Sequence, residues 1–460
     1  MEKLQSYSSL PTDRERRFAR MANLTFILVA LFFLLLLAHL FLVYNFNSSP
    51  AVPKYYYLMA ILGVVLPIAA LKLSARVKIK IALLIVSSVF AIYFSEFALF
   101  LLTPDSNLVA AKRAGITFDP RTKLEVVEDL RARDIDAYPS VSVPIDLHVG
   151  MPYPLGGVSE KTTVQCNESG TYVVYESDEH GFNNPIGSWT RQPQIVIIGD
   201  SFAHGFCVRS PQDLAGQLRA SGLDVLNLGN FGNGPLTEFA VLREYARPVK
   251  PPVILWMYFE GNDLEDLEAE QASQLLMRYY LEDDFSQDLM KRQGEADRFL
   301  KQYVEDRIRA ERLSLGKVPG FKGFYNRLAA SEIGRGMTLA RTRTSIANLF
   351  HRDRPNLSLF EGILKKSRNL TSSWGGQFYF VYLPDYGRYA AKVDQDTYRH
   401  RGEVLSIVKT LDIPVIDIHS AFAAHPDPLS LFPFRKNNHY GPAGYRLAAQ
   451  AIESFLRSRT

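Results

Sequence analysis

Three long apolar runs dominate the first 103 residues of this 460-residue chain. Leu24–Tyr44 is 21 residues without Asp, Glu, Lys or Arg, Tyr55–Leu71 is 17 and Ile81–Leu102 is 22. A bilayer-spanning helix needs about 20 apolar residues. The pattern therefore predicts three transmembrane helices, 24–44, 55–71 and 81–102, forming a membrane anchor over 1–103. The first run is too long for the core of a signal peptide, and no small-residue cleavage site follows it. Glu96 falls inside the third run, where snorkelling or pairing within the bundle would accommodate it.

Beyond residue 103 the periodicity changes. Leu124, Val127 and Leu130 have helical spacing within Lys123–Arg133, with Asp119-Pro120 as a plausible start. Ala137–Pro154 is rich in Pro and β-branched residues and reads as extended, and Thr171–Tyr175 as a short strand. This 104–190 stretch looks like an extracytoplasmic neck without chemistry of its own. From Gln194 five short apolar runs follow: Gln194–Asp200, Asp224–Leu228, Val253–Phe259, Gln377–Leu383 and Ile413–Ile418. Helical stretches separate most of them, which predicts an α/β domain over 191–460 with a parallel sheet. A large insertion, 264–370, divides it, acidic and helical in its first half. Its second half, Ser314–Leu370, holds eleven Lys/Arg against Glu332, Asp353 and Glu361. Such a stretch suits anionic lipid headgroups or an acidic glycan, or a merely solvated face. An insertion at this sheet edge can also overhang the site and shape its specificity.

Charge settles which side each part occupies. Lys3, Arg14, Arg16, Arg17 and Arg20 precede the first run, and Lys72, Arg76, Lys78 and Lys80 separate the second from the third. The loop Asn45–Lys54 has a single Lys. The positive-inside rule then predicts a cytoplasmic N-terminus, with everything after Leu102 outside the cytosol. Overall, 52 Lys+Arg against 48 Asp+Glu leaves +4, which argues against a nucleic-acid partner. The two cysteines, Cys166 and Cys207, both lie outside the membrane. An oxidising compartment permits a bridge that would tie 104–190 to the first helix of the sheet domain, and two buried thiols are the alternative.

Polar motifs end the first three strands: Gly199-Asp200-Ser201, Asn227-Leu228-Gly229-Asn230-Phe231-Gly232 and Glu260-Gly261-Asn262-Asp263. Ligands bind beyond the carboxyl ends of parallel strands. A fourth motif, Asn437-Asn438-His439-Tyr440-Gly441-Pro442, opens a final amphipathic helix carrying Tyr445, Ala448, Ala449, Ile452, Phe455 and Leu456 on one face. The spacing of His419, His425 and His439 matches no metal-ligand signature, and no P-loop or dinucleotide fingerprint is present. Neither a metal nor a cofactor is implied.

Gly-Asp-Ser-Phe at 199–202, the Asn-x-Gly-x-x-Gly run, Gly-Asn-Asp and a His just before the last helix together resemble the SGNH/GDSL hydrolase superfamily, as a membrane-anchored bacterial member. The resemblance covers roughly 191–263 and 371–460. It implies a flavodoxin-like parallel sheet, which the three transmembrane helices read from the apolar runs would precede, with Ser201 as nucleophile and His439 as its base. It implies an oxyanion hole made by the Ser201 and Gly232 N–H groups and the Asn262 side chain. The family's acid stands three, sometimes two, residues before the His, where this chain has Lys436 and Asn437. Asn437, Asp417 and Asp427 are the candidates left to orient the imidazole, or the site is a dyad. The activity implied is an esterase or O-acyltransferase on an acyl ester, acetyl above all, of a glycan or glycolipid outside the bacterial inner membrane. A membrane acyl-transfer or polysaccharide-assembly partner fits that setting. The alternative is a catalytically degenerate scaffold component of a polysaccharide export or assembly complex.

Overall fold

The computed structural model describes residues 12–43, 55–102, 106–143, 152–314, 336, 338–344, 355–392 and 398–459. The chain divides into two compact units, Met1–Thr103 with Arg327–His351, and Pro104–Asn326 with Arg352–Thr460. The loop Asn45–Lys54, part of the extended stretch (144–151) and most of the basic half of the insertion lie outside the described residues.

The first unit contains α1 (Asp13–Val43), α2 (Tyr55–Ala70) and α3 (Ala75–Leu102). Asp13–Ala38 and Ala75–Leu101 are long and apolar enough to cross a membrane, while α2 is apolar but shorter, with Pro67 inside it. Ala22 and Phe26 of α1 pack with Ala82 of α3. The Tyr57 hydroxyl of α2 donates to the Leu40 carbonyl at 3.2 Å. Glu96 is buried and paired, but not by a neighbouring span. It accepts the backbone N–H groups of Arg341 (3.3 Å) and Thr342 (2.8 Å), and the Arg341 guanidinium lies 3.5 Å away. The insertion thus supplies the partner that lets a carboxylate sit in an apolar helix.

The second unit is built on two sheets. The smaller has β1 (Ala137–Pro139) parallel to β2 (Thr162–Val164), which pairs antiparallel with β3 (Val174–Glu176). The strand expected at 171–175 thus begins at Val174. The helix beside this sheet runs Lys123–Arg131 and starts at Thr122 rather than at Asp119-Pro120. There the Thr122 hydroxyl caps the Glu125 N–H while the Glu125 carboxylate reaches back to the Thr122 N–H, so two otherwise orphaned donors are satisfied.

The larger sheet contains β4 (Ile195–Ile198), β5 (Val225–Asn227), β6 (Val253–Phe259), β7 (Gln377–Leu383) and β8 (Val415–Asp417). All neighbours are parallel, in the order β5-β4-β6-β7-β8. This is the flavodoxin-like winding, in which the first strand lies inside the second. Alternate side chains serve opposite layers. Val196, Ile198, Ile254, Trp256 and Tyr258 join one core, and Ile195, Ile197, Leu255, Met257 and Phe259 the other. Burial on both faces explains why these strands read as continuous apolar runs. The last helix, Pro442–Arg457, buries Tyr445, Ala448, Ala449 and Ile452. The first half of the insertion is helical as expected, with Asp263–Glu270, Gln274–Leu281 and Gln293–Ser314. Beyond β6, the buried Glu260 carboxylate accepts from Arg388 Nε at 2.8 Å and from the Asp385 N–H at 2.7 Å. That pair locks the ends of β6 and β7 together.

Candidate active site

Ser201 stands where β4 turns into the short helix Ser201–His204. The turn is tight: a Cβ at Gly199 would lie 2.7 Å from Ala203 Cβ and 2.8 Å from Met257 Cβ. Only glycine leaves room for that approach. Asp200 caps the helix, accepting the Phe202 N–H at 2.8 Å. Ser201 is itself nearly buried, and its Oγ lies 2.9 Å from His439 Nε2. These two residues are 238 positions apart in the chain.

The other face of the imidazole is occupied by Glu168. His439 Nδ1 is 2.9 Å from Glu168 Oε1, and the His439 backbone N–H donates to Glu168 Oε2 at 2.8 Å. A carboxylate facing Nδ1 requires the proton there, which leaves Nε2 as the acceptor for the Ser201 hydroxyl. Glu168 comes from 104–190, the stretch read as having no chemistry. The three residues considered for orienting the imidazole do not touch it. Asp417 caps the helix Ile418–Ala423 through the His419 N–H and pairs with Arg401. Asp427 pairs with Arg435. Asn437 is exposed in a groove beside Phe434.

Local bonds hold Glu168 in place. Cys166 and Cys207 form a disulfide with Cα atoms 5.2 Å apart. The Gln165 side chain accepts the Cys207 N–H at 3.1 Å and contacts His204 Nε2 at 2.9 Å. Asn167 donates to the Asp119 carbonyl at 3.0 Å and accepts the Gly170 N–H at 2.8 Å. Sequence reasoning found the bridge but not its consequence. Glu168 is two residues beyond one cysteine, and Ser201 is six residues before the other.

Gly232 lies in the loop after β5, with φ +78°, a region that disfavours other residues. Two contacts draw this loop onto the Gly199 turn: Asn230 N–H to the Gly199 carbonyl at 3.1 Å, and Asn233 Nδ2 to the same oxygen at 3.4 Å. Asn262, after β6, donates one amide hydrogen to Asp266 Oδ2 at 2.7 Å, and its Oδ1 is buried without a partner. Its NH2 group has a second hydrogen to offer. Aromatic rings wall the crevice: Phe202 stacks on Phe259 at 3.7 Å, and Phe206 lies 5.2 Å from the His439 ring and 5.0 Å from Phe231.

Beneath the site is a cluster of buried carboxyls. Burial raises Asp200 to about 6, partly offset by its bond to Phe202 and by His439. It raises Glu270 to about 7 against the bonds from Thr237, Gly234 and Leu236. Burial and neighbouring carboxyls lift Asp266 to about 8 and push Glu238 and Asp263 well up. Glu270 accepts the Gly234 and Leu236 N–H groups at 2.8 Å each, fixing the Gly232–Gly234 loop against the helix after Asn262. Burial holds His204 neutral, its value lowered to about 3. Ligand atoms of Glu168, His439 and Cys207 lie within 4.8 Å of one another, but the Cys207 sulfur is already bonded in the disulfide and offers no thiolate.

No family model and no curated protein matches the sequence. Among solved structures, the chain is similar to a lipase/acylhydrolase from Enterococcus faecalis, at 14% identity and TM-score 0.31, over 58% of this chain and 95% of that one. It is also similar to a lipolytic protein of the G-D-S-L family from Veillonella parvula, at 14% identity and TM-score 0.30, over 57% and 98%. A third is the acetyl xylan esterase AlAXEase, at 11% identity and TM-score 0.32, over 57% and 98%.

Proposed function

We propose that this chain is a membrane-anchored, SGNH-type esterase or O-acyltransferase that works through Ser201, His439 and Glu168. The observation that carries the reading is the unbroken hydrogen-bonded series from the Ser201 hydroxyl through the His439 ring to the Glu168 carboxylate. A serine hydroxyl attacks poorly until a base takes its proton, and an orienting carboxylate stabilises the imidazolium that results.

In this scheme the Ser201 Oγ–carbon bond forms as its proton passes to His439 Nε2. The carbonyl oxygen becomes an oxyanion beside the Ser201 and Gly232 N–H groups and the Asn262 amide. The carbon–oxygen bond to the alcohol then breaks, and His439 returns the proton to the leaving oxygen. Water or a sugar hydroxyl next loses its proton to His439 and attacks the acyl-serine, and the Ser201 Oγ–carbon bond breaks as Oγ regains a proton.

We place the three apolar helices in a bacterial inner membrane, with the N-terminus cytoplasmic and the Ser201 unit outside. The substrate in this reading is an acyl, above all acetyl, ester of an envelope glycan or glycolipid. The scaffold alternative rested on Lys436 and Asn437 standing where an acid was expected. A carboxylate supplied by Glu168 removes that support.

An alkyl fluorophosphonate should label the wild-type chain at Ser201 and leave Ser201→Ala unlabelled. No labelling of folded, full-length protein overturns the enzymatic reading. A cysteine introduced at an exposed site after residue 106 should react with an impermeant maleimide from the periplasmic side; reaction only from the cytosol overturns the topology.

A further inference from the structure

One cation stands beside the crevice without an acid to balance it. In the segment Asp119–Arg133, Arg121 pairs with Asp119 and Asp129, Arg131 with Glu305, and Arg133 with Asp129. Lys123, half-buried at the start of the helix Lys123–Arg131, has no carboxylate partner among the described residues. Its Nζ donates to the Ser140 carbonyl at 3.2 Å and to the Ser140 hydroxyl at 3.0 Å. An ammonium has three hydrogens, so one is left to offer. Burial alone lowers the amine, to about 8, and no acid offsets that shift. A charge withdrawn from water without a counter-ion costs stability, which an arriving anion would offset.

The surroundings of Lys123 belong to the site. Its Nζ lies 5.9 Å from the centre of the Phe206 ring and 5.8 Å from that of Phe231, within reach of a cation–π contact. Phe206 stands 5.2 Å from the His439 ring, and Phe231 directly precedes Gly232. The chain from Ser140 leads to Ser142, whose Oγ would be 3.0 Å from a Cβ at Gly232. The ammonium is thus held against two rings that wall the crevice, one beside the base and one beside an oxyanion donor. His439 must return its proton to the leaving oxygen, so the part of the ester alongside His439 and Phe206 is the alcohol. A lysine is a compact point charge and takes carboxylate or phosphate without demanding a planar partner.

We infer that the alcohol of the substrate carries an anionic group, a carboxylate or a phosphate, close to its ester, and that Lys123 binds it as a specificity-determining residue. This rests on the acyl-transfer reading of Ser201. The test begins with ethyl fluorophosphonate on the full-length chain in detergent. It continues with three acetates that differ only in the para substituent: 4-acetoxybenzoate, 4-acetoxyphenyl phosphate and the neutral 4-acetoxybenzamide. We expect labelling at Ser201, and kcat/KM at least fivefold higher for one of the anionic esters than for the amide. A lead for the carboxylate points to an acidic sugar, and a lead for the phosphate to a phosphorylated one. Lys123→Met should lower kcat/KM for the favoured anion at least fivefold more than for the amide, mainly through KM, and Lys123→Arg should restore most of the difference. No labelling overturns the acyl-transfer reading and this inference with it. Labelling with no preference for either anion, or an equal effect of Lys123→Met on charged and neutral esters, overturns this inference alone.

Discussion

Glu168 grips His439 twice, through ring Nδ1 at 2.9 Å and through the backbone N–H at 2.8 Å. One carboxylate therefore sets both the orientation of the ring and the position of the loop that carries it. This carboxylate comes from a segment preceding the parallel sheet, not from the loop holding the histidine.

Glu168→Gln keeps the size of the side chain but removes its charge. An amide can present its NH2 to Nδ1 and favour the wrong tautomer, so kcat on p-nitrophenyl acetate should fall roughly 10³–10⁴-fold. Glu168→Asp should recover part of the loss. A change below threefold in folded Glu168→Gln would rule out this role.

The Asn262 amide is proposed to meet the oxyanion with its second hydrogen. Asn262→Ala should lower kcat by about 10²–10³-fold while leaving far-UV circular dichroism unchanged. Equal kcat in the two proteins would remove Asn262 from the proposal. Gly232→Ala tests the neighbouring donor, and the positive φ predicts a fall in melting temperature as well.

The Cys166–Cys207 bridge closes a separation of 41 residues, for which loop entropy suggests about 4 kcal/mol of stabilisation. Because Glu168 is two residues from Cys166, the effect should extend to activity. Cys166→Ser with Cys207→Ser should lower both the thermal midpoint and, well below that midpoint, kcat. Stability lost with kcat intact would show that Glu168 is positioned without the bridge.

The buried carboxyls predict a pH dependence of stability. Glu270 and Asp266 are raised to about 7 and about 8 by burial, against about 4 in an unfolded chain. The folded state therefore holds more protons between these values. The contribution is full below about pH 4 and is lost as pH rises through 7 and 8. His204 and His419, lowered by burial, act in the opposite sense below about pH 6.5, and Lys123, lowered to about 8, above pH 8. Between pH 6.5 and 8 the melting temperature should fall, and Asp266→Asn should flatten that slope. A midpoint rising with pH across this window would contradict the protonated cluster.

Apolar runs along the chain determined most of the architecture. Gln194–Asp200 and Val253–Phe259 read as parallel strands because both their faces are buried, and that demand is written locally in Ile, Val and aromatic residues. Ser201 and His439 were legible for a related reason, since strand ends and helix starts use short motifs of fixed spacing. Glu168 was not, because nothing in Cys166-Asn167-Glu168 differs locally from any polar turn. Its partner lies 271 residues away, and only packing of the small sheet and closure of the disulfide bring the two together. Glu96 followed the same logic, because its partner Arg341 is set by the folded insertion and not by the span that carries it. Periodicity records what each segment must bury next to itself, whereas contacts between distant segments arise only when the whole chain has closed.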